Sequence, residues 1–480
     1  MRARNEIVSR SPADRSDVLG HFAVSSRSDV GDAVERARAA FPAWRDAGFA
    51  ARAAVIRRFG ELANARSELL ANLIAREMGK AIWDARGEAK LLAAKVDVSL
   101  GEGMQTVAPI EAGPGVRSTV HPRGVLAVLG PYNFPAHLPN GHIVPALATG
   151  NSVVFKPSEL TPAVGAFMGA LWRDAGLPDG VLEIVHGSGE TGGTLAAHAD
   201  VDGVLFTGSY ATGRALEELC LGQPGKLLAL EMGGKNAIVV LDDAELELAL
   251  AETALSICAT TGQRCSCASR IFVHERLIDE FADRLCALLA AVEIGMPLDE
   301  STFMGPLASV AAAEKVLRYR ALAGPAGGER LLAGDPGRPL PWLGAGLVRF
   351  ADTAQTHAYQ REEIFGPEAA LYPIRDLDHA IAAVNDSDYG LVASLMTRSR
   401  TRYEHAIGRV QTGLLNWNKG TIGASGKLPF GGLERSGNDR PAGLHAAVYC
   451  THHQAHLESE GGFDPTTLPP GMPSPTRARE

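Results

Sequence analysis

Cysteine is scarce in this chain: the 480 residues include six, Cys220, Cys258, Cys265, Cys267, Cys286 and Cys450. So few thiols, three of them crowded into the stretch 258–267, exclude a disulfide framework and point to a reducing, cytoplasmic compartment. Long apolar runs are missing as well. No segment reaches the roughly 18 uninterrupted apolar residues that a membrane helix needs. The Arg- and Ser-rich start already carries Glu6, Asp14 and Asp17, with no apolar signal core behind it, so export is not expected. Nor is basic charge in excess. The 46 Lys and Arg residues are scattered among 55 Asp and Glu, for a formal net charge of −9. That excludes a nucleic-acid partner and leaves a small molecule as the expected ligand. There is no internal repeat.

What is present is an ordinary globular composition, 46% hydrophobic and 21% charged, long enough for two large lobes with interleaved boundaries. From Val30 to about Leu100 the chain is Ala-rich with apolar residues at helical spacing (AVERARAAFPAW, LLANLIAREMG), which predicts surface helices. The texture then changes to short β-branched runs, each followed by turn residues and a helical stretch: GVLAVLGPYNFP, NSVVFKPSEL, GVLEIVHGSG, VDGVLFTGS, KNAIVVLDD. Repeated strand, loop and helix units predict an α/β fold with doubly wound, mostly parallel sheets. A second such series, from Ala251 to about Met396, predicts the second lobe. The Gly-rich region 411–443 reads as irregular loop lining a site, and the Pro-rich end, 460–480, as a disordered tail.

Several local patterns carry chemistry, and each also has an ordinary explanation. TTGQRCSCASR sets Cys265 after a Gly-Gln turn and beside Arg264, a cation placed to favour thiolate, the nucleophilic form; taken alone, a buried, inert cysteine is the commoner case, and Cys258, Cys267 and Cys286 are read as packing residues. LALEMGGKN ends an apolar run at Glu231 beside two glycines, where open α/β sheets place ligands, although a charge at a loop start is often only solvated. GPYNFP puts Asn133 after a strand, as an oxyanion donor or as a turn former. Two segments compete as phosphate cradles. HGSGETGG has Gly187, Gly189 and Gly192 in GxGxxG spacing, and FTGSYATG brackets a helix entrance with Gly208 and Gly213; pattern alone does not choose. The carboxylate in KPSE suits free ribose hydroxyls and repels a 2′-phosphate. His452, His453 and His456 lack companion ligands, so no metal is assigned.

In order and spacing, GPYNFP, FKPSE, FTGS with Gly213, LEMGGKN, GQRC, EEIFGP and PFGG resemble the aldehyde dehydrogenase superfamily from about Val30 to His456. The stretch GPYNFPAHLPNGHIVPAL, NWNK and SGNDRP are similar to its succinylglutamate semialdehyde dehydrogenase branch. This resemblance implies Cys265 as nucleophile, Glu231 as the base that activates the deacylating water, and Asn133 with the Cys265 backbone N–H as the oxyanion hole. It implies NAD, preferred over NADP, with Lys156, Ser158 and Glu159 at the adenosine ribose, Gly208, Ser209, Thr212 and Gly213 at the pyrophosphate, and Glu363 and Phe365 at the nicotinamide end. GSGETGG then becomes structural.

The implied reaction is aldehyde to carboxylate through a cysteine thioester, with the semialdehyde of N-succinylglutamate, a step of arginine catabolism, as substrate. The alternatives are another semialdehyde or aliphatic aldehyde, or a cofactor-independent thiol esterase. Arg264 and Lys419 are expected at the substrate carboxylates. Cys258, four residues before Gly262, and Tyr132 depart from the family pattern near the aldehyde tunnel. The resemblance implies an NAD-binding domain at 1–103 and 123–233, with 435–449 packing back on it, and a catalytic domain at 234–434. A hairpin at 104–122 and a strand at 450–459 are expected to join subunits of a homodimer or homotetramer.

Overall fold

The computed structural model describes residues 6–438 and 442–475. VLAVL, SVVFK and GVLFT are buried at every position, as strands covered on both faces must be, and such strands belong in parallel sheets. They form the centre of a five-stranded parallel sheet in the order Leu182–Ile184, Ser152–Lys156, Val125–Leu129, Gly203–Thr207, Leu227–Glu231. Chain order reverses beside Val125–Leu129. A crevice therefore opens at the carboxyl ends of that strand and of Gly203–Thr207, the position where doubly wound sheets hold ligands.

Alternation along these strands divides the core. Leu126, Val128, Val153 and Phe155 face one cluster with Phe59, Ile74 and Leu92, while Val125, Ala127 and Val154 face another with Val30 and Val34. The Ala-rich helices Arg27–Asp46, Gly48–Ala65, Ser67–Met78 and Ile82–Leu100 are thus packing layers on both faces of the sheet. The expectation of surface helices is corrected to this extent: their small side chains let the backbones approach, and Phe59 and Ile74 are fully buried.

At Met232–Lys235 the chain crosses to a seven-stranded sheet: Glu329–Leu332, Gly346–Arg349, Glu368–Ile374, Ala268–His274, Asn236–Val240, Val392–Met396 and Leu414–Trp417, parallel except for the first pair. Leu414–Trp417 lies inside the stretch expected to be loop. Four residues, LLNW, are too few for periodicity to register. A third, antiparallel sheet joins Ile110–Gly113, Val116–Pro122 and Thr451–Leu457. Its hairpin begins at Ile110, later than expected, because a short helix occupies Glu102–Gln105. The end of the chain carries a 3-10 turn at Pro465–Thr467; residues 476–480 of the expected disordered tail lie outside the described residues.

No helix among the described residues is long and apolar enough to cross a membrane, and no cluster of His, Cys, Asp and Glu among them is arranged to hold a metal ion.

Candidate active site

A cleft of about 610 Å³ opens at the reversal point and runs between the two large sheets. Asn133, Glu231 and Cys265 line it together with Lys156, Ser158, Glu159, Gly208, Ser209, Thr212, Glu363 and Phe365. Residues spread over more than two hundred positions of sequence are thereby brought to one wall system.

Cys265 follows a turn in which Thr260, Thr261 and Gly262 all take positive φ, 53°, 54° and 70°. Left-handed backbone is costly for a β-branched residue, and such strain persists only where the surroundings hold it. Here Thr261 Oγ1 donates to Gly305 O at 2.9 Å and Thr260 Oγ1 to Asp84 Oδ2 at 2.5 Å. A Cβ on residue 262 would stand 2.1 Å from the Gly366 carbonyl carbon, so only glycine fits there. Beyond the turn, Asn236 Nδ2 donates to Cys265 O at 2.6 Å and to Cys267 O at 2.9 Å. The nucleophile segment is thus pinned on both sides.

The environment of the thiol is acidic. Burial, followed by the neighbouring Glu231 and Glu363 carboxylates, holds the Cys265 pKa well above the usual thiol value. This corrects the expected role of Arg264. Its guanidinium turns away to Asp84, with Nη2 2.8 Å from Oδ1, and Nε donates to Thr260 Oγ1 at 2.8 Å. It is therefore neither the thiolate's counter-charge nor a free ligand for a substrate carboxylate. Lys419 is exposed and does not line the cleft.

Glu231 ends the strand Leu227–Glu231 and is buried. Apart from a weak interaction with the Cys265 thiol, its carboxylate oxygens lack hydrogen-bond partners among the described residues. Burial first, and then repulsion from Glu363, pushes its pKa up to about 8. Asn133, also buried, spends one amide hydrogen on Gln263 O at 2.9 Å. A carboxamide has two donors, so the second N–H is available to a ligand oxygen.

Along the cleft, Lys156 Nζ lies 3.6 Å from Glu159 Oε2 and donates to Pro157 O and Gly187 O at 2.9 and 2.8 Å. Ser209 caps the helix Tyr210–Cys220 by accepting from Thr212 N, which leaves the positive end of that helix turned to the cleft. Gly213 does not line it. Its missing side chain makes room for Met232, whose Sδ would lie 2.0 Å from an added Cβ. Gly189, Gly192 and Gly193, by contrast, do line the cleft. The segment expected to be purely structural is one of its walls, because the helix Gly189–Ala197 begins there.

At the Cys265 end, Glu363 Oε1 accepts from Gly234 N at 2.9 Å, and burial raises its pKa to about 7. Phe365, at φ 58°, meets Tyr132 edge-on with ring centroids 6.0 Å apart. Cys258 is fully buried. Sequence reasoning missed Lys235, whose buried ammonium donates to Tyr359 O and Glu362 O at 2.9 and 2.7 Å and so holds the EEIFGP loop. It also missed Asn236 and Lys315. The first two stand inside the LEMGGKN motif, where a cation and an amide directly after a glycine pair were a readable signal.

The sequence pattern of the aldehyde dehydrogenase family matches residues 1–455. The chain is 41% identical over 478 residues to the N-succinylglutamate 5-semialdehyde dehydrogenase of Burkholderia multivorans, covering 97% of this chain and 96% of that one. It is 42% identical over 465 residues to the protein of that name from Paraburkholderia xenovorans, with 93% of each covered. Among solved structures it is similar to PnpE in complex with nicotinamide adenine dinucleotide, at a TM-score of 0.90 and 32% identity with 96% of each chain covered. It is also similar to the gamma-glutamyl-gamma-aminobutyraldehyde dehydrogenase of Burkholderia cenocepacia J2315, at a TM-score of 0.89 and 33% identity, covering 94% of this chain and 92% of that one. With a buried carboxylate, a carboxamide and a cysteine meeting in the cleft between its two large sheets, and with likeness over nearly its whole length, the chain belongs to the aldehyde dehydrogenase family.

Proposed function

We propose that this protein oxidises the semialdehyde of N-succinylglutamate to N-succinylglutamate with NAD, through a thioester on Cys265, as a step of arginine breakdown in the cytoplasm. The observation that carries the chemistry is the meeting of Cys265, Glu231 and Asn133 in one cleft. The substrate rests on the relatives of that name, 41–42% identical over nearly the whole chain.

The cleft fits a dinucleotide. It is continuous from the Lys156–Glu159 pair, past the Ser209 helix entrance, to Glu363, Phe365 and Cys265, and its glycine walls admit close approach. A Cβ at Gly192 would already touch Lys156 at 3.4 Å. The Glu159 carboxylate suits free ribose hydroxyls and disfavours a 2′-phosphate, which selects NAD over NADP.

In the reaction the Cys265 thiol passes its proton to Glu231, its polar neighbour, and Sγ bonds to the aldehyde carbon. The resulting oxyanion is held by the second N–H of Asn133 and the Cys265 backbone N–H; losing one such donor typically costs about 2.7–4 kcal/mol. NAD held along the cleft by Lys156, Glu159, Ser209 and Glu363 would supply the acceptor for the hydride that leaves that carbon as the thioester forms. Once Glu231 has released the thiol's proton to solvent, its carboxylate takes a proton from water, the hydroxide adds to the thioester carbon, Cys265 leaves as thiolate and takes that proton back from Glu231, and the carboxylate product departs.

Purified protein supplied with NAD is expected to turn over N-succinylglutamate semialdehyde with a kcat/KM about 100-fold above succinate semialdehyde, glutamate semialdehyde or a plain aliphatic aldehyde, equivalent to roughly 2.7 kcal/mol, and to favour NAD over NADP. A different best aldehyde removes the substrate assignment and leaves the chemistry standing.

Self-association belongs to the same reading. The strand Thr451–Leu457 has a free outer edge among the described residues and is largely exposed, a ready template for pairing with a second copy. Sedimentation is expected to give a multiple of the 50.5 kDa chain mass, and a monomer at micromolar concentration would remove this part of the proposal.

A further inference from the structure

The helix Ile82–Leu100 buries two carboxylates, Asp84 and Glu88, one turn apart on one face. Each reaches a different half of the site. Asp84 accepts from Arg264 Nη2 at 2.8 Å and from Thr260 Oγ1 at 2.5 Å, so it grips the left-handed turn just before Cys265. Glu88 Oε1 accepts from Ala136 N at 2.9 Å and His137 N at 3.0 Å, three and four residues after Asn133. It caps the helix His137–Ala148, whose own N-cap residue, Ala136, offers no side-chain acceptor.

The two grips are joined through cations. Lys80 Nζ lies 2.6 Å from Glu88 Oε2, with both side chains fully buried, and 3.5 Å from the centroid of the Phe134 ring. The Arg264 guanidinium lies 5.1 Å from that same ring. Phe134, the residue after Asn133, is therefore held by two cations, each paired to one carboxylate of one helix. The Asn133 Nδ2 to Gln263 O bond, at 2.9 Å, closes the circuit. Four charges removed from water are a poor way to gain stability, since desolvation offsets most of the attraction. Their geometry is the better explanation: they fix two loops, distant in sequence, against one rigid helix.

We propose that Lys80, Asp84 and Glu88, acting through Thr260, Arg264 and Phe134, are positioning residues that set the Asn133 amide against the Cys265 sulfur. This rests on the roles given above to Cys265 and Asn133. Addition of sulfur to an aldehyde needs both groups in register, whereas alkylation of the thiol by iodoacetamide develops no oxyanion and needs Cys265 alone.

The test compares Asp84→Asn, Thr260→Ala and Thr260→Ser in the full-length protein. The readouts are the pre-steady-state NADH burst, steady-state kcat and KM, and the rate of Cys265 alkylation. Asp84→Asn and Thr260→Ala are expected to slow the burst and lower kcat about 10- to 100-fold, with aldehyde KM within about threefold and alkylation within about twofold of the parent. Thr260→Ser, which keeps the hydroxyl, is expected to retain parental rates. Thr260→Ala leaves the Asp84–Arg264 pair in place and removes a β-branched residue from left-handed backbone, so the test survives if Asp84→Asn fails to fold. Turnover near the parent's in the variants that fold, or alkylation falling in step with turnover, would overturn the proposal. Cys265→Ala, run alongside, separates the two levels: if that variant keeps its activity, the underlying chemistry is wrong, whereas an inactive Cys265→Ala beside fully active clamp variants sinks the clamp alone.

Discussion

Cys265→Ala is expected to lower NADH formation by about 10⁴-fold or more while leaving the fold intact, because every later step depends on the bond that its sulfur makes. The neighbouring thiols offer no substitute. Cys258 is fully buried, and Cys267 is buried with its Sγ directed at Ala259 O. Burial pushes the Cys267 thiol up to about 12, so it is neutral at working pH. Serine at 265 should be nearly as inactive as alanine, since a hydroxyl in this acidic surrounding is harder still to ionise than the thiol, which Glu231 and Glu363 already oppose. The comparison is made with pure variants whose melting temperatures match the parent's, by following NADH absorbance over several hours. A Cys265→Ala protein that keeps even a tenth of the parental rate would show that another nucleophile, or no covalent intermediate, operates.

The family and the site were legible because they are written in short contiguous strings. Glu231 ends a strand, and Asn133, Cys265 and Glu363 sit in turns or loops between elements, where residue type and spacing reflect a local backbone requirement. The buried runs VLAVL and GVLFT likewise announced a parallel sheet, though not which strand would neighbour which. What stayed hidden is long-range. Beside Cys265 in sequence, Arg264 reads as its activating cation; the left-handed turn at Thr260 and Thr261 instead sends it to Asp84, 180 residues away. Gly213 reads as a phosphate contact; that its bare Cα also accommodates Met232 is a fact of helix-to-sheet packing that no local pattern records. The GSGETGG glycines show the converse: a segment set aside on family grounds lines the cleft because the strand order brings its helix there. Asp84 and Glu88 were legible only as charges on a helix, since the loops they hold lie elsewhere in the chain.

Glu231→Gln is expected to lower steady-state turnover about 10²- to 10⁴-fold, the usual span for loss of a general base, and to do so while making Cys265 easier to ionise. The sign follows from the site. The Glu231 carboxylate is one of the groups that raise the Cys265 pKa, so a neutral amide in its place must move the thiol's alkylation profile to lower pH. The parent should show turnover that rises as pH passes through about 8, because the folded-state pKa of Glu231 is raised to that value and the base form is populated above it. The variant should lack that ascending limb. In the variant, acylation must draw on the thiolate already present rather than on proton transfer to Glu231, and water has no base at all, so one NADH per active site should form in a slowed burst, followed by a steady state slower still. A fold loosened enough to expose Cys265 would also ease its alkylation, so the comparison is made on a variant whose melting temperature matches the parent's. Steady-state turnover within about threefold of the parent, or an alkylation profile moved to higher pH, would exclude Glu231 as the base and redirect attention to Glu363, the other carboxylate raised by burial at this end of the cleft.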